Sequence, residues 1–321
     1  MIIFIFVKLL LSLPKITAML EHLIKCKSNN VLVSFSGGRT SAFMCHMMLN
    51  SPTWNTKNLV FVFANTGRER DETLEFVDRV DREYGLNLVW VEALVNPERG
   101  VGTSYTLTNF KDAKRNGEPF EEVIKKYGIP NYTKPHCTRE LKLRPIHAYM
   151  KSLYGKDYVT ALGIRLDEVR RAGAYDDNFV YPLIPETVRV KQVRDFWNEQ
   201  AFDLKLKDYE GNCDFCWKKS KRKKMTLLQE NFHITTWWKN MEDLYAEVDD
   251  EKYYFNRSNQ SITDLIKEAE AGFVPVTDEF WKDEKNDDMD FEKECACFNV
   301  HSEEYIAIIK EDTPLKGEGY Y

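Results

Sequence analysis

The sequence predicts an α/β fold: a parallel sheet with helices on both faces, joined to a smaller, mostly helical module that contains cysteines. Three observations predict it. Between about residues 30 and 165, strand-like runs alternate with helix-like segments, and that alternation folds into a parallel sheet covered on both sides. The first run, "VLVSF", passes through Ser-Gly-Gly into a helical segment. After about residue 200 the rhythm stops, and a C-x-x-C pair and a basic run follow. The chain divides into an N-terminal extension (1–29), an α/β domain (30–200) and a cysteine-containing module (201–321).

The elements follow in order. "MIIFIFVKLLLSLPKITA" has an apolar run of about a dozen residues, interrupted by Lys8. That is too short for a membrane span. No basic stretch precedes it, as one would in a signal peptide. Stable membrane insertion is not expected, and Met19 is an alternative start. Strands are expected at 31–35, 59–63, 88–92 and 158–163, and helices at 41–49, 71–84, 118–127 and 138–154. Between about 93 and 117 the chain is polar and aperiodic, which reads as a lid or a surface loop.

Composition narrows the class. The 321 residues are 43% hydrophobic and 30% charged, with a net charge of −6. That balance argues against a wholly electrostatic nucleic-acid binder but permits a local basic patch. Seven cysteines form no disulfide ladder. The C-x-x-C and C-A-C pairs read as metal or redox chemistry in a cytoplasmic protein. No feature fixes an oligomeric state, and a homodimer is compatible with the sequence.

"SFSGGRTS" lies at the carboxyl end of a strand, where ligands of such sheets sit. Gly37 and Gly38 allow successive N–H groups to face one concavity. The following helix adds its positive end, and Ser36 and Ser41 add hydroxyls. The alternative is a plain strand-to-helix turn. The spacing is not that of the Walker loop. S-G-G-x-x-S instead resembles the PP-loop of the adenine nucleotide alpha hydrolase superfamily, a Rossmann-like fold. "FANTGRERDETLEFV", "KPHCTRELKLRP" (134–145), "GIRLDEVRRAG" (163–173), "YPLIPE" and "GNCDFCWKKS" resemble, in order, further blocks of its phosphoadenosine phosphosulfate reductase-like branch. The likeness spans about residues 30 to 225.

The resemblance implies an adenine nucleotide, ATP in preference, held by Ser36, Gly37, Gly38, Arg39, Thr40 and Ser41. Asn65, Thr66 and Gly67 stand where the superfamily recognises adenosine, and Gly163 and Arg165 belong to a later matched block. Arg39 either adds charge or is a solvated side chain. Arg165 either grips phosphate or sulfate, bidentately as guanidinium groups do, or pairs with Asp167 or Glu168. Lys134, Arg139 and Lys142 would complete an electropositive mouth. Thr40 departs from the family, which has Asp there to help organise nucleotide and metal. Mg2+ is compatible with the resemblance, and Glu69, Asp71 or Glu72 could supply the carboxylate instead.

Cys213 and Cys216 are spaced to bind one metal centre. Cys137 stands where the iron–sulfur members of the branch have a cysteine. Cys295 and Cys297 lie in "ECACF", with His301 beyond. Three readings stand: a 4Fe-4S cluster on Cys137, Cys213, Cys216 and one of the last pair, with Cys297 assigned to it; zinc on the same set, with His136 or His301 as further donors; or reduced thiols. Cys295, next to Glu294, faintly resembles the nucleophile of sulfonucleotide reductases. Ser36 and Arg165 complete the candidate catalytic residues.

Six of the seven residues Lys218–Lys224 are basic. They read as a solvated helix or as the site of a nucleic acid or another anionic substrate. Two reactions fit the resemblance. In one, ATP adenylates a substrate oxygen that sulfur then replaces; in the other, a bound sulfonucleotide is reduced. A reading from another class is a non-catalytic nucleotide or nucleic-acid binder with structural zinc.

Overall fold

The computed structural model describes residues 26–275 apart from 99, 133, 173–177, 208, 249, 257 and 259. Strands β1 (Asn30–Ser34), β2 (Asn58–Asn65), β3 (Val89–Leu94), β4 (Ser104–Thr108), β5 (Val159–Ala161) and β6 (Phe179–Val180) form one sheet in the order β4-β3-β2-β1-β5-β6. All neighbours run parallel except β4, which is antiparallel to β3 at the edge. The expected α/β fold is thus present, with an antiparallel edge added.

Helices cover both faces because side chains alternate along each strand. Val31, Val33, Phe61, Phe63 and Trp90 point one way, into a core shared with α1 (Arg39–Asn50), α2 (Asp71–Tyr84) and α5 (Val190–Glu199). Leu32, Val62, Ala64 and Val91 point the other way, against Ile146 and Met150 of α4 (Arg144–Tyr154). Burying such side chains contributes roughly 1.5–3 kcal/mol each. Ahead of α4 the helix starts at His136–Thr138 and passes through a π-helical stretch, Arg139–Leu143. π-bulges often occur at functional sites.

The later helices are α6 (Lys221–Glu230), α7 (Thr236–Tyr245) and α8 (Ile262–Glu270), with a small hairpin of Glu247–Val248 and Glu251–Lys252. They share one core with α3 (Glu118–Tyr127): Phe120 and Ile124 pack with Phe215, Trp217, Trp238, Phe255 and Leu265. The C-x-x-C segment is therefore seated directly on the α/β domain. No helix among the described residues is long and apolar enough to cross a membrane.

Three expectations need correction. The segment 93–117, read as aperiodic, contains β4. Its "SYTLT" pattern is polar because an edge strand with one neighbour remains half exposed. The short β6 and the amphipathic α5 were not expected; α5 buries Val193 and Trp197. The basic run is not a solvated helix as a whole. Helix begins only at Lys221, and Lys219, Lys223 and Lys224 are buried. The Lys224 ammonium donates to the Phe255 carbonyl, while Lys221 pairs with Glu268 at 2.6 Å in solvent.

Candidate functional site

The glycine-rich turn joins β1 to α1 at the carboxyl edge of the sheet. Ser41 organises it: its Oγ accepts from the Ser36 amide at 3.2 Å, donates to the Gly38 carbonyl at 3.0 Å, and lies 2.9 Å from Ser36 Oγ. Gly38 caps α1, yet no side-chain oxygen bonds the first-turn amides and no acidic residue lies in that turn. The helix end thus keeps its positive potential for an anion. Gly37 has φ +84°, and a Cβ there would meet Thr73 at 2.8 Å. Gly38 has φ −99°, and a Cβ there would meet nothing closer than 3.8 Å. The fold requires the first glycine; at the second a Cβ would make only ordinary contacts, with Ser36 Oγ and the Asn212 side-chain amide. Gly163 brings the end of β5 close to α1, since its Cβ would lie 3.4 Å from Ser41 Cα.

The two arginines differ. Arg39 is bound away in structure: Nε and an Nη donate to both oxygens of Asp203 at 2.7 and 2.9 Å, and Leu204 and Leu206 carbonyls accept from it as well. It is neither a solvated side chain nor a group free for phosphate. Arg165 is buried and stays at the loop. It donates to Thr40 Oγ1 at 2.8 Å, and its ion pairs with Asp167 (3.3 Å) and Glu168 (3.4 Å) are formed. Thr40 therefore faces a guanidinium where the family's acid would stand.

Beyond β2, Asn65 donates to Glu92 at 2.6 Å and to the Lys114 carbonyl at 2.8 Å, and accepts from the Gly67 amide at 3.2 Å. Thr66 donates through its amide and its hydroxyl to Glu69, at 2.7 and 2.8 Å. Glu69 is the buried one of the three proposed carboxylates. Its other oxygen lies 3.7 Å from Lys142 Nζ and accepts from Cys213 Sγ at 3.9 Å. Asp71 is exposed and pairs with Arg115 at 3.3 Å.

Cys137, Cys213 and Cys216 line one cavity of about 20 Å³, together with Thr66, Lys142, Trp217 and Lys218. Trp217 Nε1 donates to Cys137 Sγ at 3.4 Å. Burial pushes the Cys137 and Cys213 thiols above their ordinary range, against the pull of Lys218 on the first and Lys142 on the second. Burial disfavours a charged Lys142, but the Glu69 carboxylate beside it helps to outweigh this, and its pKa is raised above the ordinary lysine value. Among the described residues no three His, Cys, Asp or Glu side chains stand close enough to hold a metal ion. The donor chemistry nevertheless suits a thiolate-held centre: three cysteines from two distant segments line one cavity, and the two lysines among its lining residues would offset thiolate charge. A cavity of this size takes about one water-sized guest. His136 is buried with a pKa lowered to about 3 by burial, and its Nε2 donates to the Gly128 carbonyl at 3.0 Å. Glu294, Cys295, Cys297 and His301 lie outside the described residues.

Sequence reasoning missed how 210–214 lies along 68–70. Glu69 and Cys213 form an antiparallel bridge. The Arg70 amide donates to the Asn212 carbonyl (3.0 Å), and the Asp214 amide to the Arg68 carbonyl (3.1 Å). Asp214 also pairs with Arg68 and accepts from Trp238 at 2.7 Å. Arg70 pairs with Glu210 at 3.0 Å, while its Nε and one Nη are buried without a hydrogen-bond partner. The available signal was position: "GNCDFC" and "GRERDE" each directly follow or contain matched motif residues, but nothing in either shows that they meet.

Comparison with known proteins gives the following. Residues 30–112 match the model of the phosphoadenosine phosphosulfate reductase domain. An uncharacterised nin-region protein of Escherichia phage lambda is 35% identical over 196 residues, which is 60% of this chain and 67% of that protein. Two uncharacterised proteins of Methanocaldococcus jannaschii are 30% and 28% identical over 42% and 39% of this chain. The matches span only 22% and 24% of those two proteins. No solved structure matches the chain.

Proposed function

The chain belongs to the phosphoadenosine phosphosulfate reductase-like family, and on that premise we propose that it is an enzyme binding an adenine nucleotide, ATP in preference, for adenylation and sulfur transfer. The observation that carries this reading is a helix end capped only by Gly38, with no side-chain cap on it and no acidic residue in its first turn. A phosphate there meets backbone N–H groups, the Ser36 and Ser41 hydroxyls and the helix dipole. The loop's Ser-Gly-Gly favours a free terminal pyrophosphate, hence ATP. Arg165 neutralises charge at the same edge and holds Thr40 in place. With Thr40 neutral and Glu69 bonded to Thr66 and Lys142, Mg2+ would take its ligands mainly from phosphate oxygens and water.

In the reaction, a substrate oxygen bonds to the α-phosphorus and the α–β phosphoanhydride breaks. Pyrophosphate leaves, held by the loop. A sulfur nucleophile then forms the carbon–sulfur bond and AMP departs with the oxygen. Cys137, Cys213 and Cys216 would hold a metal centre, completed by Cys297. That centre would bind and activate sulfur. Since no three donors among the described residues stand within reach of one metal ion, the cysteines would have to draw together around either a zinc ion or a 4Fe-4S cluster. Lys219, Lys223 and Lys224 are buried, which leaves Lys218, Lys221 and Arg222 as the cations of that run that a nucleic acid or other anionic substrate would meet.

Calorimetric titration with ATP and with phosphoadenosine phosphosulfate tests the nucleotide. Micromolar binding of ATP with weaker binding of the sulfonucleotide is expected. The reverse order supports the reductase reading, in which Cys295 attacks sulfur, and contradicts ours.

A further inference from the structure

Asn212 precedes the first cysteine of the C-x-x-C pair, yet its side chain reaches the phosphate loop. Its Nδ2 donates to the Ser36 carbonyl at 2.6 Å, across 176 residues of chain. The amide's two terminal atoms also lie beside Gly38, at 3.9 and 4.0 Å from where a Cβ would stand, just beyond Ser36 Oγ at 3.8 Å. In a trans peptide the C=O and the next N–H point opposite ways. Pinning the Ser36 oxygen therefore fixes the direction of the Gly37 N–H, one of the donors a phosphate would use.

Asn212 is itself held on a rigid support. Its carbonyl accepts from the Arg70 amide at 3.0 Å, the next residue bridges Glu69, and Lys219 Nζ donates to the Cys213 carbonyl at 2.6 Å. One short segment thus touches the phosphate loop through Asn212 and the cysteine cavity through Cys213. We infer that Asn212 is a positioning residue that sets the phosphate loop from the cysteine segment, so that nucleotide binding is felt at the Cys213–Cys216 pair. This rests on the nucleotide reading above. By reciprocity, a change at the cysteine segment alters nucleotide affinity to the same degree.

The experiment is hydrogen exchange on the full chain, free and saturated with ATP, or with the sulfonucleotide if that is what calorimetry shows the wild type to bind. Wild type, Asn212→Ala and Asn212→Asp are compared. Asp keeps the size of Asn but cannot donate to the Ser36 carbonyl when ionised, and so serves if the alanine variant folds poorly. In wild type, nucleotide slows exchange both in the first turn of α1 and across residues 210–217. In the variants at saturation the first effect persists and the second is lost, with affinity about three- to tenfold weaker for alanine, as one hydrogen bond implies, and weaker still for aspartate. Slowing across 210–217 that survives in both variants overturns the inference, as does its absence in wild type that binds nucleotide. Wild type giving no binding heat with either nucleotide overturns the nucleotide reading itself, and the inference falls with it.

Discussion

Gly37 and Gly38 are neighbours that lack side chains for different reasons. At Gly37 the backbone is left-handed and Thr73, Phe63 and Val77 crowd the missing Cβ at 2.8–3.2 Å. Gly37→Ala should cost about 1–2 kcal/mol for the backbone alone, plus the clash, and lower the melting temperature by several degrees. An unchanged melting temperature would show that the turn is not built as described. The dipeptide was legible as a turn, but which glycine serves the fold depends on residues 26 to 40 positions later and could not be read locally. The same holds for Arg39 and Arg165. Arg39 lies within the loop motif and Arg165 follows a later strand; both read as cations for an anion, and only the position of Asp203 shows that the first is bound away.

Among the elements, β1, β2, β3, α2 and α3 were legible because each has a strong local pattern: apolar runs for central strands and a one-sided apolar stripe for the helices. β4 and β6 were not, since a polar edge strand and a two-residue strand exist through their neighbours. α6 was misread for a related reason. Its lysines look solvated by charge, but Lys224 is buried and donates to the Phe255 carbonyl, and its charge acts on Glu242 of α7 against the effect of burial. Glu242 accepts from the Phe255 and Ile262 amides at 2.9 and 2.8 Å, which pins the segment between α7 and α8. Burial raises its pKa to about 7, despite those two bonds. A carboxyl whose folded pKa lies above its unfolded one binds more protons when folded, so its contribution to stability falls as pH rises through that interval. Stability should therefore drop between about pH 5 and 7, by at most ~3 kcal/mol, and level off above. Melting temperatures across that range for wild type and Glu242→Gln check this. The variant should lose the slope, and equal slopes in both would contradict the assignment.

At the scale of the molecule, the parallel sheet gathers the ends of β1, β2 and β5, and the later helices dock C-x-x-C onto the same edge. The gathering of loop ends was legible, because consecutive β/α units place them at one edge. The convergence of Cys137 with Cys213 and Cys216 on one cavity was expected from the family resemblance. The residues that join cavity to loop, Glu69 and Asn212, depend on an antiparallel bridge between segments far apart in sequence, which no local pattern encodes. The central claim is that the loop Ser36–Ser41 binds an adenine nucleotide at the uncapped helix end that begins at Gly38. ATP calorimetry on wild type and Gly38→Val tests it most directly. Valine suits the extended backbone at that position and its Cβ meets only ordinary contacts, so the melting temperature should change by no more than a few degrees, while the branched side chain blocks the approach of phosphate. We predict micromolar binding by wild type and at least a hundredfold loss in the variant. Equal ATP affinity in the two proteins would contradict the account.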